Sequence, residues 1–325
     1  MQLIPDTIDL RAYTKAPDFE ARVRKASDFI AEIQAELAPK GENHARHPTM
    51  LSPKAQGRIE FRPGEITCWS GYNGHRKSMF TSQVALDLCM QKQRVLIVSL
   101  EMSPTRTMAR MTRQATGTGY PHPDETERFA RWTDDQLWLF DYVGRLDTKT
   151  AIGLCRYFAQ KLGGQHVFID SMMKVCESEE SLDEQKQFVT SICELADETG
   201  LHLHLVTHCR KPQSGDEGRP PSKYDIKGSG SISDQAHNIM MVWQNKAKKA
   251  KLEVNSFDES VLDEPDAIIS CEKQRNGEWE GKLKFWFHNP SMRFCDDRGT
   301  KVEAYRLPWT DADRPAPARA SGGAQ

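Results

Sequence analysis

Short apolar runs alternate with stretches of helical periodicity over most of this chain. From Gly57 to about Cys295, the strand-like runs include EITCWSG, RVLIVSL, WLFDYV, HVFIDS and LHLHLVTH. The segments between them place apolar residues three or four positions apart, which is typical of helices. Strands that are apolar on consecutive residues and are joined through helices form a parallel sheet covered on both faces. The pattern therefore predicts one α/β domain.

The last part of this region has a different pattern. Here IMMVWQN, AIISCEKQ and KLKFWFH follow one another as strands joined by turns. Strands connected by short turns pair in the antiparallel direction. We therefore predict a mostly parallel sheet with helices on both faces and an antiparallel extension.

The chain before this domain contains one amphipathic pattern. Apolar positions spaced by four and three residues predict a helix over about residues 17–38, and they are Phe19, Val23, Ala26, Ile30, Ile33 and Leu37. A single striped helix needs a partner surface, on its own chain or on a neighbouring subunit. The polar, Pro- and Gly-rich stretch after it predicts a flexible strap. We thus divide the chain into an N-terminal segment (1–56), a domain (57–306) and a disordered Pro-, Ala- and Gly-rich tail (307–325).

Composition and charge exclude several classes of protein. The 325 residues include 44 Lys plus Arg and 46 Asp plus Glu, for a formal charge of −2, and 38% are hydrophobic. Such a chain is neither disordered throughout nor a basic protein that coats DNA, so a polyanion must be bound locally. No run approaches the ~18 apolar residues of a membrane span, and the N-terminus lacks the pattern of a secretory signal. We expect a soluble, cytoplasmic protein without a membrane partner.

Cysteine and histidine spacing favours buried residues over a metal centre. The eight cysteines lack the close spacing of a zinc site, so we interpret them as free thiols. His202 and His204 alternate along LHLHLVTH, as in a strand with one packed face.

A glycine-rich turn between the first strand and the next helix predicts a phosphate-binding loop. Its eight positions are Gly71, Tyr72, Asn73, Gly74, His75, Arg76, Lys77 and Ser78. Glycines let backbone N–H groups point at phosphates, Lys77 reaches the β- and γ-phosphates, and Ser78 holds Mg²⁺. Arg76 stands where the pattern requires glycine, which demands a negative φ or a strained left-handed conformation. The alternative is an ordinary strand–turn–helix with a Gly-rich bend.

Polar residues follow three further strands at their carboxyl ends. Glu101 comes after RVLIVSL, where a water-activating base would lie, although such an acid is also common as a solvated or helix-terminal charge. Asp170 ends HVFID and suits Mg²⁺ binding, or it caps the following loop. His208 ends LHLHLVTH. Carboxyl ends of parallel strands meet at one edge of a sheet, which is where open α/β sheets bind ligands.

These motifs occur together in the order of a known family. The chain has Gly64-Glu-Ile-Thr with the loop at 71–78, Ser99-Leu-Glu101, Phe168-Ile-Asp170, Thr207-His208, Asp225 to Asn238, and Lys273-Gln-Arg275-Asn-Gly277. Over about residues 57–295 it resembles the RecA-like motor domain of DnaB-type replicative helicases, and specifically their phage and mitochondrial (Twinkle-like) branch. The resemblance implies a P-loop NTPase that forms a ring, usually a hexamer. It also implies ATP bound between subunits and single-stranded DNA in the central channel.

The resemblance assigns a role to each candidate residue. It makes Lys77 and Ser78 ligands of phosphate and Mg²⁺, Glu101 the catalytic base and Asp170 the Walker B acid. His208 would sense the γ-phosphate. Lys273 and Arg275 look like the pair that enters the neighbouring subunit's ATP site; without the other motifs we would interpret them as surface cations.

One Gly- and Pro-rich segment predicts the DNA contacts. Between Thr207 and Gly228 it carries five basic and three acidic residues. Basic and glycine-rich loops bind phosphates without reading sequence. The candidate DNA contacts are Arg210, Lys211, Lys223, Lys227, Gly228 and Ser229. We interpret the lysine cluster at 246–251 as a solvated face.

The sequence thus predicts an ATP-dependent replicative helicase that translocates on single-stranded DNA as a ring. Because the region before residue 57 contains no primase-like domain, we expect a separate primase or loader. Two alternatives remain. One is a recombinase or loader ATPase that binds DNA without unwinding it. The other is a nucleotide-binding structural ring in which Arg76 slows or abolishes hydrolysis.

Overall fold

The computed structural model describes residues 9–13, 47–175, 181–212, 217–228, 230–299 and 302–305, together with the isolated positions 25, 27, 30 and 34. The helix predicted over about 17–38, the tail at 307–325 and Ser229 lie outside the described residues, apart from those isolated positions. The division of the chain at its two ends therefore stays a prediction.

Nine strands form one mixed sheet within the described part of the chain. They are β1 (Ile66–Ser70), β2 (Val95–Ser99), β3 (Leu137–Leu139), β4 (His166–Asp170), β5 (His202–Val206), β6 (Asn238–Gln244), β7 (Ala267–Gln274), β8 (Gly281–His288) and β9 (Arg293–Cys295). Their order across the sheet is β3-β2-β4-β5-β1-β6-β7-β8-β9. The predicted mostly parallel sheet with an antiparallel extension is confirmed.

One strand differs from the prediction. The run IMMVWQN, predicted as the first antiparallel addition, forms β6, which pairs parallel with β1. The antiparallel part begins with β7 and continues through β8 and β9. The residues between β5 and β6 allow a crossover to the far side of β1, so the direction of β6 depends on the connection and not on its own apolar pattern.

Helices connect these strands. They are α1 (Lys77–Met90), α2 (Pro104–Thr116), α3 (Pro123–Trp132), α4 (Thr148–Leu162), α5 (Leu182–Thr199), α6 (Ser231–Gln235), α7 (Lys246–Val254) and α8 (Glu259–Leu262), with 3₁₀ turns at Leu10–Tyr13, Met172–Lys174 and Lys223–Asp225. The lysine cluster lies on α7, where each lysine makes an ion pair with a carboxylate. Lys248 is buried, so this helix is not simply a solvated face.

The core has one apolar cluster on each face of the sheet. Helices α4 and α5 contribute to one cluster and helices α1, α2 and α3 to the other. Consecutive residues of one strand enter opposite clusters: Val167 and Ile169 of β4 pack on the first, and Phe168 packs on the second. Because β-strand side chains alternate between faces, such a strand must be apolar at every position.

The C-terminal part of the predicted flexible strap is packed against the domain. Met50 and Ala55 are buried. On α1, Asp87 accepts a hydrogen bond from the backbone N–H of Leu51 at 2.9 Å, and Gln91 exchanges hydrogen bonds with the backbone of Thr49 at 3.1 and 2.6 Å. The order here comes from side chains of a distant helix, so the polar composition of the strap was misleading.

Strand β5 is buried on both faces, which corrects the prediction of one packed face. His202 and His204 lie beside His166 of β4, and all three imidazoles are buried. The Trp69 indole N–H donates to His204 Nδ1 at 3.2 Å, so His204 carries its proton on Nε2, 3.3 Å from His166 Nδ1. In the described residues no group of three or more His, Cys, Asp or Glu side chains could hold a metal ion.

Candidate functional site

Gly71 of the predicted phosphate loop lies directly against the backbone of β6. A Cβ atom on Gly71 would lie 2.2 Å from the carbonyl oxygen of Val242, so only glycine fits there. The buried Lys77 ammonium donates to the carbonyl oxygens of Gly71 at 2.9 Å and Tyr72 at 3.0 Å. Burial lowers the pKa of Lys77, while the nearby Asp170 and Glu101 carboxylates raise it. The cation is therefore held inside the curl of its own loop.

Arg76 adopts the left-handed conformation that glycine would adopt at this position. Its φ and ψ are 63° and 25°. Its guanidinium carbon lies 3.7 Å from the centre of the Phe287 ring, and burial lowers its pKa. The side chain lines a cavity of about 500 Å³ together with Asn245, Trp286 and Phe287. Asn73 and Gly74 of the same loop line a different cleft, described below.

The two strand-end acids lie together beside the loop. Parallel pairing of β2 with β4 sets Ser99 opposite Asp170, which brings Glu101 close to it. Ser78 donates a hydrogen bond to Asp170, and Ser171 donates to Glu101 Oε1 at 3.0 Å. Burial raises the pKa of Asp170, the Ser78 hydrogen bond lowers it, and Glu101 raises it further. Hydroxyl and carboxylate oxygens are hard donors that suit Mg²⁺, so Ser78 and Asp170 fit the predicted metal.

The candidate γ-phosphate sensor and several candidate DNA contacts line one cleft. The cleft has a volume of about 670 Å³ and is lined by Asn73, Gly74, Glu101, Met173, Lys174, His208, Cys209, Arg210, Lys211 and Lys227. His208 follows β5, the neighbour of β1 and β4 in the sheet. Predicted catalytic and DNA-binding positions thus meet on the same side of the phosphate loop.

The segment from Thr207 to Gly228, here called the basic segment, returns to the sheet at its end. Cys209 forms a bridge with Ile226, and the N–H of Lys227 donates to the His208 carbonyl at 2.7 Å. Gly228 has a φ of 111°, and a Cβ there would lie 2.2 Å from Gln185 Oε1. Lys223 donates to the carbonyl oxygen of Glu272 at 3.3 Å. Two of its positions therefore have structural roles besides any contact with DNA.

Lys273 and Arg275 both bind backbone carbonyl oxygens of the same short helix. Lys273 Nζ donates to the carbonyl oxygens of Ser233 and Asp234 at 2.8 and 2.9 Å, and Arg275 Nη2 donates to that of Asp234 at 3.0 Å. The target is helix α6. Arg275 itself comes just after the end of β7. The structure therefore keeps this pair together, but it does not bring the pair to the cleft that Glu101 lines.

Sequence reasoning did not identify Arg110 and the partner of His75. Arg110 of α2 donates to Met102 Sδ at 3.1 Å, and its charge acts on Asp170. The buried His75 ring lies 3.0 Å from Glu217 Oε2 in the basic segment. Burial lowers the pKa of His75, and the hydrogen bond that its ring donates to Glu217 raises it.

The chain is similar to known proteins in sequence and in fold. Residues 55–214 match the family described as AAA domain. Over 204 residues the chain is 26% identical to a DNA helicase/primase of Enterobacteria phage T3. This region makes up 57% of the chain but 36% of the phage protein.

Two solved structures share the fold. An ATPase domain matches with a TM-score of 0.60 and 14% identity, over 73% of this chain and 86% of that one. A DnaB-like replicative helicase, described with its interactions with primase, matches with a TM-score of 0.64 and 14% identity, over 84% of this chain and 67% of that one. At 14% identity these two matches show that the chain shares the fold of these proteins. Among the residues that the structure describes, no helix is long and apolar enough to span a bilayer.

Proposed function

We propose that the RecA-like domain is the motor of a replicative DNA helicase, which hydrolyses ATP and translocates on single-stranded DNA as a ring. The observation that carries the proposal is the single cleft lined by the phosphate loop, Glu101, His208 and four basic residues. An acid and a sensor beside a phosphate loop serve ATP hydrolysis, while cations at the same cleft bind a polyanion. Because the two sets of residues share a cleft, ATP hydrolysis can affect DNA binding and DNA binding can affect hydrolysis.

Each residue around the phosphate loop would have a separate role in ATP hydrolysis. Lys77 would exchange the carbonyl oxygens of its own loop for the β- and γ-phosphate oxygens. Ser78 and Asp170 would hold Mg²⁺, which neutralises phosphate charge when it is bound. Glu101, oriented by Ser171, would accept the proton of the attacking water. His208, which lines the same cleft, would sense whether the γ-phosphate is present.

Lys273 and Arg275 would complete the site of a neighbouring subunit. In their own chain they bind carbonyl oxygens of α6, so their charges are not neutralised by a carboxylate in these contacts. A planar guanidinium suits charge spread over phosphoryl oxygens. Such a site requires a ring, and we propose a hexamer in which Arg210, Lys211, Lys223, Lys227, Gly228 and Ser229 face the DNA. A separate primase or loader would act with it.

ATP hydrolysis measured with and without single-stranded DNA tests the proposal. Lys77→Ala removes the phosphate-binding ammonium and should lower the rate by roughly 100-fold or more. Lys249→Ala is the matched control, because this α7 lysine is exposed and pairs with Glu253. A wild-type protein no faster than Lys77→Ala under both conditions would contradict the motor. Displacement of a strand from a forked duplex then separates a helicase from a recombinase or loader.

A further inference from the structure

One contact joins the phosphate loop to the basic segment across 142 residues of sequence. His75 is 1% exposed, and its Nδ1 accepts a hydrogen bond from the backbone N–H of Gln244 at 3.0 Å. Nδ1 therefore has no proton in the neutral ring, and Nε2 carries it. Nε2 lies 3.0 Å from Glu217 Oε2, so the imidazole donates to the carboxylate. The orientation of the ring is thus fixed from both sides.

Glu217 is held by two further contacts. Its carboxylate pairs with Lys246 Nζ at 2.8 Å, and its carbonyl oxygen accepts from the Trp243 indole N–H at 2.8 Å. Its side chain is 31% exposed. Nearer the start of the basic segment, the N–H of Cys209 donates to the Gly71 carbonyl at 3.0 Å. The basic segment therefore contacts the phosphate loop near its start and again at Glu217.

We propose that His75 and Glu217 are positioning residues through which the nucleotide state of the phosphate loop sets the affinity of the basic segment for single-stranded DNA. This inference rests on the proposed function. His75 stands between Gly74 and Arg76, so a shift of the loop backbone around bound phosphates moves its ring. A charge-assisted hydrogen bond between two anchored groups transmits such a shift. Without this contact, the basic segment would, in the described part of the chain, be joined to the phosphate loop only near its start, where the N–H of Cys209 donates to the Gly71 carbonyl.

A pair with a purely structural role would make the same contacts, so the test must measure the coupling between nucleotide binding and DNA binding. The quantity is the ratio of the single-stranded DNA Kd without nucleotide to the Kd with a non-hydrolysable ATP analogue. Binding of a fluorescent oligonucleotide gives both values. Loss of a contact with a purely structural role would change thermal stability and leave this ratio unchanged. Loss of a positioning contact would instead bring the ratio towards one.

Two variants of Glu217, the surface-accessible partner, and one variant of Lys246 test the proposal. We expect a wild-type ratio of roughly tenfold or more, and a ratio within about threefold of one for Glu217→Ala. Glu217→Gln keeps an oxygen that accepts from His75 and should restore part of the ratio. Lys246→Ala removes the neighbouring ion pair but leaves the His75 contact, so it should keep the wild-type ratio. ATP hydrolysis and the thermal midpoint are measured for each variant.

The outcomes separate this inference from the proposed function. If Glu217→Ala keeps the wild-type ratio, or if Lys246→Ala loses it equally, the positioning role is overturned. If the wild-type protein hydrolyses ATP faster with single-stranded DNA but shows no nucleotide-dependent affinity, the inference fails and the motor stands. If the wild-type protein neither hydrolyses ATP nor binds single-stranded DNA, both fail.

Discussion

Arg76 shows how a side chain occupies a position that usually requires glycine in a phosphate loop. The left-handed conformation at φ 63° costs a non-glycine residue about 1–2 kcal/mol. A guanidinium stacked on an aromatic ring, as here on Phe287 at 3.7 Å, contributes about 0.5–2 kcal/mol in return. The loop therefore keeps the curl that glycine would give it, and the charged group lies away from the cleft lined by Glu101.

Arg76→Gly tests whether this residue limits turnover. Because the guanidinium stacks on Phe287 and does not line the Glu101 cleft, we expect ATP hydrolysis within about twofold of the wild type. The free energy of unfolding should change by no more than about 1 kcal/mol, since relieved strain offsets the lost stacking. Steady-state hydrolysis and urea denaturation provide the two measurements. Hydrolysis that appears only in the glycine variant would favour the structural ring.

At the scale of elements, two segments escaped sequence reasoning for opposite reasons. Helix α3 buries only Phe129, so its apolar pattern is weak. The start of this helix could nevertheless be predicted. His122 precedes the helix, Pro123 is its first residue, and Glu125 completes a capping box with His122. Residues 47–56 carry no such signal: they are ordered by Asp87 and Gln91 of α1. Local chemistry predicts a helix end, but not a partner more than thirty residues away.

The three histidines of β4 and β5 make the stability of the domain sensitive to pH. Burial lowers the pKa of all three, to about 3 for His202. The unfolded chain therefore binds protons that the folded protein excludes, and stability falls as pH drops below about 6.5. At pH 5.5 each histidine contributes a loss of about 1.4 kcal/mol. Asp87 acts in the opposite direction, because burial raises its pKa to about 6.

His166→Asn removes one of these titrating groups. The asparagine oxygen can accept from His204 in place of Nδ1 and cannot be protonated in this range. We expect the loss in the free energy of unfolding between pH 7.5 and pH 5.5 to shrink by about 1.4 kcal/mol. Urea denaturation at both pH values measures it. His122→Asn, at an exposed helix cap, should leave the loss unchanged; an equal effect from both variants would rule out the buried cluster as its source.

At the scale of the whole molecule, the candidate site is divided between two places. Lys77, Ser78, Glu101 and Asp170 lie together, whereas Lys273 and Arg275 bind helix α6. A chain with a formal charge of −2 has no general attraction for DNA, so its cations must act in concentrated sets. The proposed ring would repeat each set of cations once per subunit, so a few residues in each chain would be enough to bind DNA and to complete the ATP sites.

Mixing two inactive variants tests whether the site is shared between subunits. In an equal mixture of Arg275→Ala and Glu101→Ala, about one interface in four combines an intact Glu101 with an intact Arg275, so about a quarter of the activity should return. Lys77→Ala mixed with Glu101→Ala is the matched control, because both residues belong to the same subunit's loop region and no intact site can form. Equal activity in the two mixtures would contradict a site completed in trans.

The sequence by itself determined the parallel α/β core, the glycine-rich turn at residues 71–78 and the position of the acids at the strand ends. Each depends on local physics: consecutive apolar residues fill two faces of a sheet, glycines permit a curl, and carboxyl ends of parallel strands share an edge. Tertiary structure alone decided which neighbours these residues have. Gly71 is required because β6 lies beside β1, and His75 meets Glu217 because the basic segment returns to β6. The order of the strands in the sheet sets those contacts, and the periodicity of apolar residues along the chain carries no information about strand order.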